Sequence, residues 1–266
     1  MATLDALFDA TSRSFGSNVA VTFNSGSIQE HITYNELEAQ VSKVKTFLKT
    51  VCEGQETVAI YSKQSISLVS CILGVLKSGN CFAPIDLNWL PDMVCKFLLK
   101  LSVHILFLEE DLLDSFENCL LQWKTSLPEG SKVEFVWNQV LANSGFIPIR
   151  RLDELKEEKP NTENQGLAYV MQTSGTTGEA KVIRVPHMCI VPNIIDLRNI
   201  FQVTSEDVIF LTSPYTFDPF IVQMFMAFAA GARLVIVPDS VKMVPSKLCN
   251  ILFDEERVTI LQVRVF

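Results

Sequence analysis

The stretch that most constrains this chain is Tyr169–Lys181, which reads YVMQTSGTTGEAK. Thr173, Ser174, Thr176 and Thr177 surround Gly175 and Gly178, and the run closes on Lys181. Glycine admits φ > 0 and lets the backbone come close to a guest. Successive N–H groups in such a turn form an anion-binding nest, and Lys181 adds the compensating charge. The expected guest is a polyphosphate. An ordinary surface turn rarely needs four hydroxyls, two glycines and a lysine together, so the phosphate reading leads.

A Walker-type loop has a different pattern, G-x-x-x-x-G-K-[ST], and it opens a helix. Counted from Gly175, the second glycine position holds Ala180, and Val182 stands where the magnesium-binding hydroxyl would be. Lys181–Val185 is β-branched and alternating, with Pro186 behind it, which predicts a second strand. The loop is expected at the tip of a hairpin.

The stretch resembles the signature loop of the adenylate-forming superfamily of AMP-dependent synthetases and ligases. That family includes acyl-CoA synthetases, peptide-synthetase adenylation domains and luciferases. Its pattern is roughly Y-x-x-x-[ST]-S-G-[ST]-T-G-x-P-K-G with a histidine six residues after the lysine, where this chain has His187. Ala180 replaces the usual proline and Val182 the usual glycine, both on the outgoing side of the loop. Ile32–Leu37 (ITYNEL) and Leu76–Asp86 (LKSGNCFAPID) resemble two earlier family motifs, in the same order. By themselves these are a capped helix and a helix–strand turn, so they support the fold and not the chemistry. With them the resemblance covers nearly the whole chain.

By resemblance, Thr173, Ser174, Gly175, Thr176, Thr177, Gly178 and Lys181 would hold the phosphates of ATP. Phe217-Asp218 resembles the "F-D-x-S" of amino-acid-activating members, which would set Asp218 against a substrate amine. Read without the family, Asp218 is a helix-start carboxylate favoured by the helix dipole. Pro219 and Phe220 depart from the family's small residue and leave the pocket shape open.

The composition is that of a globular protein, with 48% hydrophobic and 20% charged residues. A formal charge of −8 argues against nucleic acid or an anionic membrane as partner. The seven cysteines form no CxxC pair, and with three histidines they predict reduced thiols in a cytoplasmic protein, without a zinc site. The most apolar stretch, Phe220–Val237, is broken by Gln223, Gly231 and Arg233, which predicts a core helix and a buried strand.

Along the chain, Val19–Phe23 and Ile28–Thr33 predict a first hairpin, and Thr33…Glu36 a capping box opening a helix with Leu37, Val41, Val44, Leu48 and Val51 on one face. Strands at Thr57–Tyr61, Cys81–Ile85 and His104–Leu108 alternate with helices capped by Ser65 and begun by Pro91, the βαβ pattern of a parallel sheet. A further helix is expected around Leu112–Trp123, and residues 138–166 read as irregular. Beyond the signature loop we expect helices over Val191–Phe201, Phe217–Ala230 and Ser246–Phe253, with strands at Val208–Thr212, Arg233–Val237 and Val258–Val263.

The fold class expected is α/β: the N-terminal portion of a large adenylation domain, with mostly parallel sheets flanked by helices in two subdomains. Subdomain 1 is expected at about 1–150, a connection at about 151–166 and subdomain 2 at about 167–266. The resemblance implies that a carboxylic acid, an amino acid such as beta-alanine, is activated with ATP and Mg2+ and then passed to CoA or a phosphopantetheine carrier. Two alternatives stand beside it. One is a fatty acyl-CoA synthetase-type ligase of fatty acid metabolism. The other is a non-catalytic fragment, because the family's adenine, ribose, magnesium and catalytic-lysine motifs lie downstream of the segment matched here, which ends at Phe266. On that reading this chain is inactive alone.

Overall fold

The computed structural model describes residues 2–117, 133–135, 137–151, 166–173 and 181–262. In chain order its helices are α1 (Leu4–Ser12), α2 (Tyr34–Val51), α3 (Ile66–Lys77), α4 (Pro91–Lys100), α5 (His187–Ile200), α6 (Asp218–Ala230), α7 (Asp239–Lys242) and α8 (Pro245–Cys249). The first strands are β1 (Val19–Asn24), β2 (Gln29–Thr33), β3 (Thr57–Tyr61), β4 (Cys81–Pro84), β5 (Ile105–Glu109) and β6 (Val133–Phe135). They are followed by β7 (Asn138–Leu141), β8 (Ser144–Arg151), β9 (Leu167–Thr173), β10 (Lys181–Pro186), β11 (Val208–Phe210) and β12 (Arg233–Ile236). The chain forms two compact units, one of residues 1–40, 64–70 and 186–266, the other of residues 41–63 and 71–185.

The first unit holds a four-stranded sheet in the order β11-β12-β1-β2. β1 and β2 form the expected antiparallel hairpin, while β1 lies parallel to β12 with Val21 opposite Leu234. The capping box forms as expected: the Thr33 N–H donates to Glu36 Oε2 at 2.8 Å, and the Glu36 N–H to Thr33 Oγ1 at 3.3 Å. Phe8, Tyr34 and Phe228 meet with ring centroids 5.4–6.1 Å apart, and the Tyr34 hydroxyl donates to the Ala232 carbonyl at 2.7 Å. Gly231 ends α6 at φ 75°, and a Cβ there would stand 2.4 Å from the Phe15 ring, so only glycine both turns the chain and lets that ring close.

The second unit holds an eight-stranded sheet built along β10-β9-β4-β3-β5-β8-β6, with β7 paired to β8. β3 lies parallel to both β4 and β5, and every residue of β3 and β4 is buried. Strands covered on both faces read as continuous apolar runs, which is why the sequence marks them clearly. The Ser65 hydroxyl caps α3 by accepting from the Leu68 N–H at 3.1 Å.

Several elements differ from expectation. Residues 138–151 are strands, not irregular chain: β7 and β8 pair, and β8 runs antiparallel to β5 with Phe107 opposite Phe146. A Cβ at Gly145 would lie 2.2 Å from the Asn138 carbonyl, so the glycine is what the close strand approach requires. The helix after β10 starts at His187, a turn earlier than expected, and accommodates Pro192. α8 passes into a π-helical turn at Asn250–Glu255. Val258–Gln262 pairs with β11 at a parallel bridge of Ile209 with Ile260, where the Thr259 and Ile260 N–H groups donate to the Val208 carbonyl at 2.9 and 3.1 Å. Residues 113–117 are helical, and the rest of the helix expected around Leu112–Trp123 lies outside the described residues. Among the described residues no helix is long and apolar enough to cross a membrane.

Candidate functional site

The signature stretch begins inside the second unit. Leu167–Met171 of β9 are all buried, with Tyr169 stacked on Phe82 at 5.6 Å between ring centroids. β9 ends at Thr173, and Lys181, exposed, opens β10, which lies beside β9 in the sheet. The chain therefore leaves a strand and re-enters a strand, unlike a Walker loop, which enters a helix. Ser174, Gly175, Thr176, Thr177 and Gly178 lie outside the described residues.

His187 follows at the head of α5. Its Nδ1 accepts the backbone N–H of Leu4 at 3.1 Å, satisfying one of the orphan donors at the start of α1. Burial pushes its pKa below the ordinary imidazole value, and nearby Asp5 offsets this only in part. The neutral ring is thus the form that holds α1. Because the folded pKa is depressed, the unfolded chain takes up the proton first as pH falls below about 6.5. Stability is expected to be flat above about pH 7 and to decline from there toward pH 5. His187→Phe should flatten that dependence in urea-unfolding midpoints; an identical slope in the variant would assign the titration elsewhere.

The other predicted residues lie in the first unit. Phe217 is the N-cap of α6, 44% exposed, and Asp218 is the first helical residue, also exposed. A carboxylate here is favoured by the helix dipole and faces outward at the end of the 211–217 loop. The structure thus brings Phe217 and Asp218 together at one helix start, and the ends of Thr173 and Lys181 together on adjacent strands.

Sequence reading passed over two polar features nearby. Gln223 is fully buried in the apolar run of α6, and its interruption of that run was its only signal. Glu256, 1% exposed, pairs with Arg233 at 2.5 Å and accepts from Asn24 Nδ2 at 2.7 Å and Gln29 Nε2 at 2.6 Å. Burial alone would raise the pKa of Glu256, but those amides and the Arg233 guanidinium bring it below the usual carboxylate range. Its partners are far away in sequence, and nothing local announces them.

Residues 8–263 match the model of the AMP-binding enzyme family, and this chain belongs to that family. It is 34% identical to the human "Beta-alanine-activating enzyme" over 98% of its own length and 26% of the relative's. It is also 30% identical to surfactin synthase subunit 1 of Bacillus subtilis, over 97% of this chain and 7% of that protein. The chain therefore spans about a quarter of the length of the beta-alanine-activating relative. Among solved structures, the nonribosomal peptide synthetase FmoA3 superposes with a TM-score of 0.72 at 24% identity, over 97% of this chain and 25% of that one. The Vibrio cholerae adenylation domain AlmE, in complex with glycyl-adenosine-5'-phosphate, gives 0.69 at 18% identity, over 93% of this chain and 47% of that one. The fold is that of part of an adenylation domain.

Proposed function

We propose that this chain supplies the phosphate-binding and amine-recognition part of an enzyme that activates an amino acid, of the beta-alanine type, with ATP. The observation that carries the reading is Asp218 at the exposed start of α6, in a chain of the AMP-binding family whose hydroxyl- and glycine-rich stretch follows β9 and precedes β10 in sequence. A carboxylate at that position fits an ammonium group, which a fatty acid lacks. The similarity to beta-alanine-activating enzymes and to surfactin synthase supports an amine-bearing acid.

In the proposed reaction a substrate carboxylate oxygen attacks the α-phosphorus of ATP. The bond to the bridging oxygen breaks and pyrophosphate leaves, giving the acyl-adenylate. A thiol, of CoA or a phosphopantetheine carrier, then attacks the acyl carbon and AMP departs. Residues 173–178 and Lys181 would hold the phosphates in place, an electrostatic and positioning task. No group of three or more His, Cys, Asp or Glu side chains among the described residues is arranged to hold a metal ion. In this reading Mg2+ would accompany the ATP phosphates, held mostly by residues outside this segment.

The test is ATP–pyrophosphate exchange over a panel of amino acids and fatty acids. It is run on the 266-residue chain and on the same residues carried in a chain of the relatives' length. Exchange with beta-alanine and not with a fatty acid is expected in the longer chain; exchange with neither refutes activation. Lys181→Ala in that chain is expected to lower exchange about tenfold, one charge-assisted phosphate contact, without changing the unfolding midpoint. Unchanged exchange would remove the lysine from the reaction.

A further inference from the structure

Gln223 is 0% exposed, in the middle of an otherwise apolar helix. Its Oε1 accepts the backbone N–H of Thr212 at 3.1 Å and of Ser213 at 3.3 Å. Its Nε2 donates to Thr212 Oγ1 at 2.7 Å and to Gln262 Oε1 at 3.1 Å, while Thr212 Oγ1 donates to the Gln262 carbonyl at 2.9 Å. A second glutamine holds the same place from the other side: Gln64 Nε2 donates to the Ser213 carbonyl at 2.6 Å. Gln64 Oε1 in turn accepts from Lys242 Nζ at 2.5 Å, and that ammonium sits 3.3 Å from Asp239.

Both backbone polar groups of Ser213 are thus taken by glutamine side chains. From Ser213 the chain turns through Pro214, whose carbonyl accepts the Phe217 N–H at 3.1 Å, and enters α6 at Asp218. A buried amide left without partners is costly, so the 212–213 backbone cannot shift without disturbing the helix that begins at Asp218.

We propose that Gln223 is a positioning residue that fixes the 211–217 loop and thereby the place of the Asp218 carboxylate for a substrate ammonium. Gln64 is its counterpart across Ser213. The substrate part of this inference rests on the amino-acid-activation reading above. Gln262 on the same amide makes the 258–262 segment a second support of that loop.

Two variants separate positioning from packing. Gln223→Leu keeps the side-chain volume and removes every hydrogen bond; Gln223→Glu keeps acceptor oxygens for both N–H groups. In Gln223→Leu the amides of Thr212 and Ser213 are expected to exchange with deuterium about tenfold faster, the worth of one net hydrogen bond, with Leu234 and Val235 in β12 unchanged. Gln64→Leu should loosen the same amides. In pyrophosphate exchange, Gln223→Leu is expected to raise KM for beta-alanine about tenfold, leave KM for ATP unchanged and leave propionate unaffected, with Gln223→Glu near the parent. Unchanged amide exchange in Gln223→Leu overturns the proposal. So does an equal loss for beta-alanine, propionate and ATP, which is the mark of a general packing defect. A parent protein with no exchange for any acid refutes the activation reading instead, and the amide measurement, which needs no turnover, then decides the role of Gln223 in fixing the loop.

Discussion

Arg233→Leu is expected to lower the stability of the first unit by about 3 kcal/mol, the low end for removing one partner of a buried ion pair, because the Glu256 carboxylate is buried while Arg233 itself is 25% exposed. Glu256 is 1% exposed, and Arg233 serves it twice, through Nη1 to Oε2 at 2.5 Å and through Nη2 to its backbone carbonyl at 2.7 Å. The remaining donors, Asn24 and Gln29, satisfy Oε1 but carry no charge, so the carboxylate would stay buried against neutral partners. The pair also ties the chain after the π-helical turn to β12, and through Asn24 and Gln29 to β1 and β2. The folded pKa of Glu256 is depressed, so its contribution is present above the ordinary carboxylate range and is lost as pH falls through the folded value. Urea unfolding at pH 7 measures the loss, and scans toward pH 3 in the parent should approach the variant. A change below about 1 kcal/mol, the range of an exposed pair, would mean that water has replaced the guanidinium.

Asp218→Ala is expected to cost an amine-bearing acid about tenfold to a hundredfold in kcat/KM, the worth of a charge-assisted contact of roughly 1.5–3 kcal/mol. Acids without the amine should be spared. The carboxylate is exposed at the helix start, which keeps the expected loss below that of a fully buried pair. Asp218→Asn separates charge from shape: it retains a hydrogen-bonding group at the N-terminus of α6 and should lose nearly as much toward beta-alanine. Equal losses for beta-alanine and propionate would make Asp218 a helix-start residue, as the dipole alone would have it.

The sequence by itself determined the elements whose code is local. The Thr33–Glu36 box, the Ser65 cap, the Gly231 terminator and the apolar runs of β3 and β4 each declare themselves within a few residues, because capping, left-handed turns and two-sided burial act over that range. The order of the motifs around the signature loop was equally legible and identified the family. Only the tertiary structure decided what depends on distant partners. β8 is a strand because β5 lies beside it, although residues 138–166 read locally as irregular. β1 has its parallel neighbour β12 more than 200 residues later. Glu256 is an anchor, His187 a cap for Leu4, and Gln223 a clamp on Ser213, because burial made an unpaired polar group too costly and folding brought each its partner.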